Sequence, residues 1–103
     1  MAAPLALTWS APALDDLDEI AAYIALDKPA AAAALVQRVL AAVERLREHP
    51  SSGRRLPELP KTPYREVIVA PCRIVYRRDG NTIFIVYVFR GERQLRRERL
   101  RWP

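Results

Sequence analysis

Residues 64–89 read YREVIVAPCRIVYRRDGNTIFIVYVF, and this stretch decides the fold. It is rich in β-branched and aromatic side chains and is interrupted twice, by Pro71 and by Asp79-Gly80-Asn81-Thr82. Side chains of that kind fit a pleated surface, whereas Pro and an Asp-Gly-Asn run end a strand and turn the chain. The expectation is a three-stranded meander of Tyr64 to Ala70, Cys72 to Arg78 and Ile83 to Phe89. In the middle strand Cys72, Ile74 and Tyr76 point one way and Arg73, Val75 and Arg77 the other, because side chains alternate across a sheet. One face is thus expected to be core and the other basic and open. The last strand does not alternate, which places it centrally, covered for much of its length on both faces.

Upstream, Ser51 to Pro63 holds Ser, Gly and three Pro residues and too few apolar side chains for an element. It reads as a loop, long enough to be suspected of function. Before it, Ala30 to Glu48 carries Leu35, Val36, Val39, Leu40, Val43 and Leu46 at helical spacing until Pro50 stops the pattern. Ala13 to Leu26 repeats that spacing with Leu14, Leu17, Ile20 and Ile24, and gathers Asp15, Asp16, Asp18 and Glu19 near its start, where the helix dipole favours acids. Asp27-Lys28-Pro29 separates the two helices into a hairpin. Ser10-Ala11-Pro12 looks like an N-cap followed by an early Pro, and Leu5 to Trp9 ahead of it is a short strand. The fold class is α+β with the order β-α-α-β-β-β: a helix hairpin on one face of a four-stranded, mainly antiparallel sheet.

A chain of 103 residues, half of them apolar, is expected to form a single domain over residues 1–103 with a basic tail from about residue 90. Residues 1–52 hold seven acidic and four basic side chains (net −3), and residues 53–103 hold thirteen basic and five acidic ones (net +8). Such a surface favours acidic partners, although Arg-rich and Ala-rich chains also arise wherever the coding DNA is rich in G and C. The lone Cys72 excludes an internal disulfide, and no Cys/His spacing points to a metal or other cofactor. Met1 to Leu7 lacks the basic start and apolar run of a signal peptide or membrane span, so a cytoplasmic protein with no membrane partner is expected.

Specific residues now join this outline. Trp9-Ser10 with Ala13, Asp16-Leu17, Ile20 and Tyr23-Ile24 resembles the first helix of the ParE/RelE toxin superfamily. So does Leu46-x-x-His49-Pro50-x-x-Gly53-Arg54 with Pro57-Glu58, then Tyr64-Arg65-Glu66, Arg73-Ile74-x-Tyr76, and Val88-Phe89-Arg90-Gly91-x-Arg93. The resemblance covers nearly the whole chain and implies a small toxin of a type II toxin-antitoxin system, held inactive by an antitoxin encoded beside it.

Within that superfamily the RelE branch cleaves mRNA on the ribosome, which requires a proton acceptor, a proton donor and cations for the developing charge. Arg supplies only the last. By resemblance, the RNA-cutting members place a Tyr, or a His next to a Tyr, after the last strand, whereas Arg90 to Pro103 contains neither. Arg73 and Arg93 match positions that hold phosphate in that branch. His49 reads as a helix C-terminal residue facing the dipole, and Glu58 as a solvated loop acid before it reads as a general base. The pattern favours the ParE branch, which inhibits DNA gyrase by protein contact without catalytic residues. The alternatives are a RelE-like mRNA endonuclease and an inactive relative that only binds antitoxin and co-represses the operon.

On the gyrase reading, Arg73, Arg90, Arg93, Arg96, Arg97 and Trp102 are expected to face gyrase, its DNA or both. Cutting the chain after Gly91 is then expected to abolish toxicity and spare antitoxin binding. A ParD-like antitoxin segment, disordered when alone, is expected to pack apolar side chains on the fold and neutralise its Arg residues. Arg65, Arg73 and Arg77 on the open face, or Leu35 and Val39 along the hairpin, are its candidate contacts, the ordinary reading of that Leu/Val stripe being core. Promoter DNA is reached only through the antitoxin.

Overall fold

A computed structural model describes residues 3–91, 93 and 95–101, the last by its backbone. The order is β1 (Ala6–Trp9), α1 (Ala11–Ala25), α2 (Pro29–Arg45), β2 (Arg54–Arg55), β3 (Arg65–Val69), β4 (Cys72–Asp79), β5 (Thr82–Arg90) and a C-terminal 3₁₀ helix (Arg97–Arg101). The sheet order is β1-β5-β4-β3-β2, with β1 parallel to β5 and the other pairs antiparallel. The α+β architecture is the expected one, but the sheet has five strands rather than four. Arg54 and Arg55, inside the supposed loop, pair with Glu66 and Arg65.

Local chemistry explains the helix boundaries. Ser10 Oγ accepts the Ala13 N–H at 3.1 Å, filling one of the donors that a helix start leaves open, and prolines at the first turns of α1 and α2 give up N–H groups that have no helical partner there. After α2 the chain leaves helical geometry before Pro50, which cannot continue it.

The main core lies between the hairpin and the sheet. Leu17, Leu35, Val39, Val43 and Leu46 meet Cys72, Ile74, Tyr76, Ile83, Ile85 and Val88 there. Each large aliphatic side chain so buried contributes roughly 1.5–3 kcal/mol. Gly53 is required at the rim of this core. A Cβ there would stand 2.5 Å from Tyr76 Oη and 2.6 Å from the Glu66 carbonyl oxygen. The Gly53 N–H donates to Tyr76 Oη at 3.0 Å, and the Tyr76 hydroxyl donates to the Pro50 carbonyl at 2.8 Å.

A bulge in β5 explains why its sequence does not alternate. Tyr76 pairs with Ile85 and Val75 with Tyr87, so Val86 is the extra residue. Ile83, Ile85 and Val88 therefore face the helices, while Val86, Tyr87 and Phe89 face the other way. Beyond Ile85 the β1 side of β5 is served by α1: the Ser10 N–H donates to the Ile85 carbonyl at 2.9 Å and Asp16 Oδ2 accepts the Val88 N–H at 3.0 Å.

The second face of the sheet is not the open basic surface expected from alternation. Leu56 and Leu59 from the loop, with Leu95 and Leu100 from the C-terminal segment, close over Val75, Val86, Tyr87 and Phe89 as a second apolar cluster. The bulge sets three large apolar side chains on this face, and leaving them in water would cost several kcal/mol, so the loop and tail fold onto them.

Candidate interaction surface

Arg73 lies at the centre of the second face. Its Nε donates to Glu66 Oε1 at 2.6 Å, and its Nη1 and Nη2 donate to Glu58 Oε2 and Oε1 at 2.7 and 2.8 Å. The guanidinium also stacks over the Phe89 ring, 4.8 Å from the centroid. Glu66 is 1% exposed and takes a second cation, Arg54 Nε, at 2.6 Å. A buried carboxylate is tolerated only when it is paired and hydrogen-bonded, and two guanidinium groups supply both. The hydrogen bonds that Arg73 donates to Glu58 hold Arg73 in its charged form well above the ordinary range, and in turn hold the Glu58 carboxyl below its ordinary value.

Arg73 was expected to present its charge to a partner, and it does not. Its Nε, Nη1 and Nη2 each donate to a carboxylate of the same chain, which neutralises its charge. Arg77 lies 5.4 Å over the Phe84 ring centroid, with Nε on Asp79 Oδ2 at 3.0 Å. Arg65 was expected beside them, but its pairing with Tyr76 sets it on the helix side, where Nη1 donates to the Gly53 carbonyl at 2.8 Å. Alternation was counted within one strand, whereas the face of Arg65 depends on register between strands. Leu35 and Val39 are 2% and 0% exposed, so the stripe is core and offers no surface to an antitoxin.

Of the remaining expected contacts, Arg93 and Arg96 are exposed between β5 and the 3₁₀ helix, and Arg97 is exposed at the start of that helix. Arg90 lies half-buried, 5.8 Å from the Tyr23 ring centroid. Trp102 lies outside the described residues. Arg99 differs from its neighbours in the tail: its Nη2 donates to Asp16 Oδ2 at 2.5 Å and it stacks 4.4 Å over Tyr87, while Tyr64 donates its hydroxyl hydrogen to the Leu100 carbonyl. The tail is thus fastened at Arg99 and Leu100, and the exposed Arg93, Arg96 and Arg97 lie ahead of them.

Sequence reading missed the partners of these cations. Glu66 pairs with Val75, and Arg73 with Ile68, so acid and base are diagonal neighbours on one face of adjacent strands. The short Ala70-Pro71 turn could have supplied that register. Nothing local signals that Glu58, on a loop, reaches the same guanidinium.

Two of the groups able to transfer a proton are likewise engaged. Glu58 is paired with Arg73, and burial pushes the Tyr76 phenol up. His49 lies beyond α2 rather than in its last turn, exposed, with its backbone N–H on the Arg45 carbonyl at 3.0 Å. Among the described residues no group of three or more His, Cys, Asp or Glu is placed to hold a metal ion, and Cys72, the chain's single cysteine, is buried. No helix among them is long and apolar enough to cross a membrane.

A helix hairpin on a mixed sheet, with an Arg-rich segment after the central strand, defines the toxin architecture that the motifs implied. The family model described as ParE toxin of the type II toxin-antitoxin system, parDE, matches residues 7–95. The chain belongs to the ParE toxin family. Its structure superposes on a chain of the chromosomal ParDE toxin-antitoxin system from P. aeruginosa with a TM-score of 0.73 and 26% identity, covering 85% of this chain and 97% of that one. A chain of the RelBE2 toxin-antitoxin complex from Mycobacterium tuberculosis shares the fold, with a TM-score of 0.60 at 23% identity over 90% of this chain and 98% of that one. A candidate toxin of Sinorhizobium fredii, Y4kP, is 52% identical over 48 residues, covering 47% of this chain. The match spans half the length of that relative.

Proposed function

We propose that this ParE-family toxin inhibits DNA gyrase by protein contact in the cytoplasm, and that a ParD-like antitoxin neutralises it and carries it to promoter DNA. The observation that carries this reading is the double carboxylate clamp on Arg73. Phosphate held for cleavage needs a cation free to take it and a base free to take a proton. Here one of the two matching cations, Arg73, is already neutralised, and Glu58, the loop carboxylate nearest in type to a base, is one of the two groups that neutralise it. Inhibition by contact needs neither. It needs exposed groups that a partner can desolvate, and Arg93, Arg96 and Arg97 supply fixed positive charge beside the fastened tail.

The test is a plasmid supercoiling assay with purified toxin and gyrase, run beside a ribosome-dependent mRNA cleavage assay. Loss of supercoiling with intact mRNA is expected. Cleaved mRNA with unimpaired supercoiling would overturn the reading. Unimpaired growth on expression without antitoxin would assign the chain to antitoxin binding alone.

A further inference from the structure

Tyr23 and Leu26 are the most exposed large apolar side chains among the described residues, at 67% and 86%. They lie three positions apart and so share one face at the end of α1, which Asp16 and Glu19 continue toward the start of the helix. Arg90 and Arg99 meet the two ends of this face. The Arg90 guanidinium carbon lies 5.8 Å from the Tyr23 ring centroid, and Arg99 bonds Asp16. The Arg93 N–H donates to the Arg90 carbonyl at 2.9 Å, a turn that keeps the exposed Arg93 close to Arg90. Tyr23 and Leu26 thus border the exposed arginines of the tail. A single apolar side chain in water is ordinary, but two on one helix turn beside arginines make a patch.

We infer that Tyr23 anchors the toxin on gyrase: its ring enters an apolar pocket on the enzyme, Leu26 shields that pocket from water, and carboxylates around the pocket meet Arg93, Arg96 and Arg97. The inference rests on the gyrase reading and adds the part of the contact that charge does not supply. Exposed cations set how fast and in what orientation a partner arrives, and add little to how long it stays. Residence needs apolar area taken out of water, and Tyr is among the residue types that most often supply it at the centre of an interface. Tyr23 has only two side-chain torsions to fix, and Arg90 already packs on its ring, so little freedom is lost on docking. Leu is seldom such an anchor, and Leu26 fits the surrounding role of excluding water. DNA fits the patch less well. Its phosphates would satisfy the arginines, yet they would meet the exposed Glu19 and Asp27, one turn before and one turn after Tyr23, and leave Leu26 in water.

The test follows, in real time and at several salt concentrations, the binding of the full chain and its variants to intact gyrase, without DNA and with plasmid. Tyr23→Ala/Leu26→Ala is expected to weaken binding about thirtyfold, the effect of truncating one anchor, through faster dissociation and with the salt dependence unchanged. Arg96→Glu/Arg97→Glu is expected to act the other way, slowing association and flattening the salt dependence. Tyr23→Phe, which keeps the ring, and Leu40→Ala, which trims an exposed leucine of α2, are expected to bind as the wild type does. Unfolding midpoints of all these variants are expected to match, since the altered side chains are exposed. An equal loss in Leu40→Ala, or binding that needs plasmid and responds only to the charge variants, would overturn the inference. So would a Tyr23→Ala/Leu26→Ala variant that keeps its hold on gyrase and loses the antitoxin or a second copy of the toxin. If the wild type binds gyrase and this variant binds equally well, the anchor fails while the gyrase reading stands; if the wild type does not bind gyrase, both fail.

Discussion

Arg99 Nη2 lies 2.5 Å from Asp16 Oδ2, joining residues 83 positions apart and fixing the C-terminal 3₁₀ helix to α1. The same carboxylate oxygen accepts the Val88 N–H, so one side chain ties together the first helix, the central strand and the tail. Arg99 is held in its charged form by Asp16, and its guanidinium carbon lies 4.4 Å from the Tyr87 ring centroid. The basic tail thus has a fastened part, Arg99 and Leu100, and an exposed part, Arg93, Arg96 and Arg97.

Leu100→Ala is expected to destabilise the fold by about 2–3 kcal/mol, since Leu100 is 6% exposed in the second apolar cluster and its loss opens a cavity over Tyr87 and Phe89. Asp16→Asn keeps the shape and removes the ion pair, and about 1 kcal/mol is expected for that partly exposed contact. Urea unfolding of both variants measures this. A cut after Gly91 strips Leu95 and Leu100 from the sheet, so loss of toxicity on truncation would not isolate a contact role for the tail.

Arg73→Ala is expected to cost about 3 kcal/mol. It leaves the buried Glu66 carboxylate with Arg54 alone and uncovers Phe89. Glu66→Gln/Arg73→Gln should recover part of that loss, because two neutral amides can bond where a lone charge cannot be solvated. Thermal unfolding of the single and double variants separates the two effects.

Glu58 sets a pH dependence. Arg73 holds its carboxyl below the ordinary value of 4.5, so the folded chain binds this proton less readily than the unfolded one. Its contribution is complete above pH 4.5 and is lost as pH falls through the lower, folded value. The wild type is expected to lose stability with acid in that window, and Glu58→Gln to show a flatter profile there in urea midpoints measured against pH.

Arg96→Glu/Arg97→Glu is expected to leave the unfolding midpoint within about 0.5 kcal/mol of wild type, as usual for exposed positions. On the gyrase reading it should weaken inhibition of supercoiling by tenfold or so, chiefly through slower association that depends on salt. Unchanged inhibition across ionic strength would remove these two residues from the contact.

Most of the fold was legible because its signals are local. Ser10, Pro29 and Pro50 mark helix boundaries, and Pro71 and Gly80 mark strand ends, each through backbone geometry that no distant residue alters. The candidate site was legible only in its cations. Whether Arg73 is free or clamped depends on Glu66 across a strand pair and on Glu58 across a loop, and the side occupied by Arg65 depends on register. The exposed Arg96 and the fastened Arg99 look alike in sequence. Only the position of Asp16, in the first helix, distinguishes them.

The parallel pairing of β1 with β5 has a consequence for the chain as it is made. Ala6 lies beside Thr82 and Trp9 beside Ile85, so β1 leaves the ribosome more than seventy residues ahead of β5, the strand it pairs with. Closing so long a loop is slow compared with forming the helix hairpin or the β4–β5 turn. Until Arg90 has emerged, the nascent hairpin shows the apolar stripe of Leu35, Val39 and Val43 to its surroundings. Every surface that depends on the closed sheet therefore arises only after Arg90 has been made.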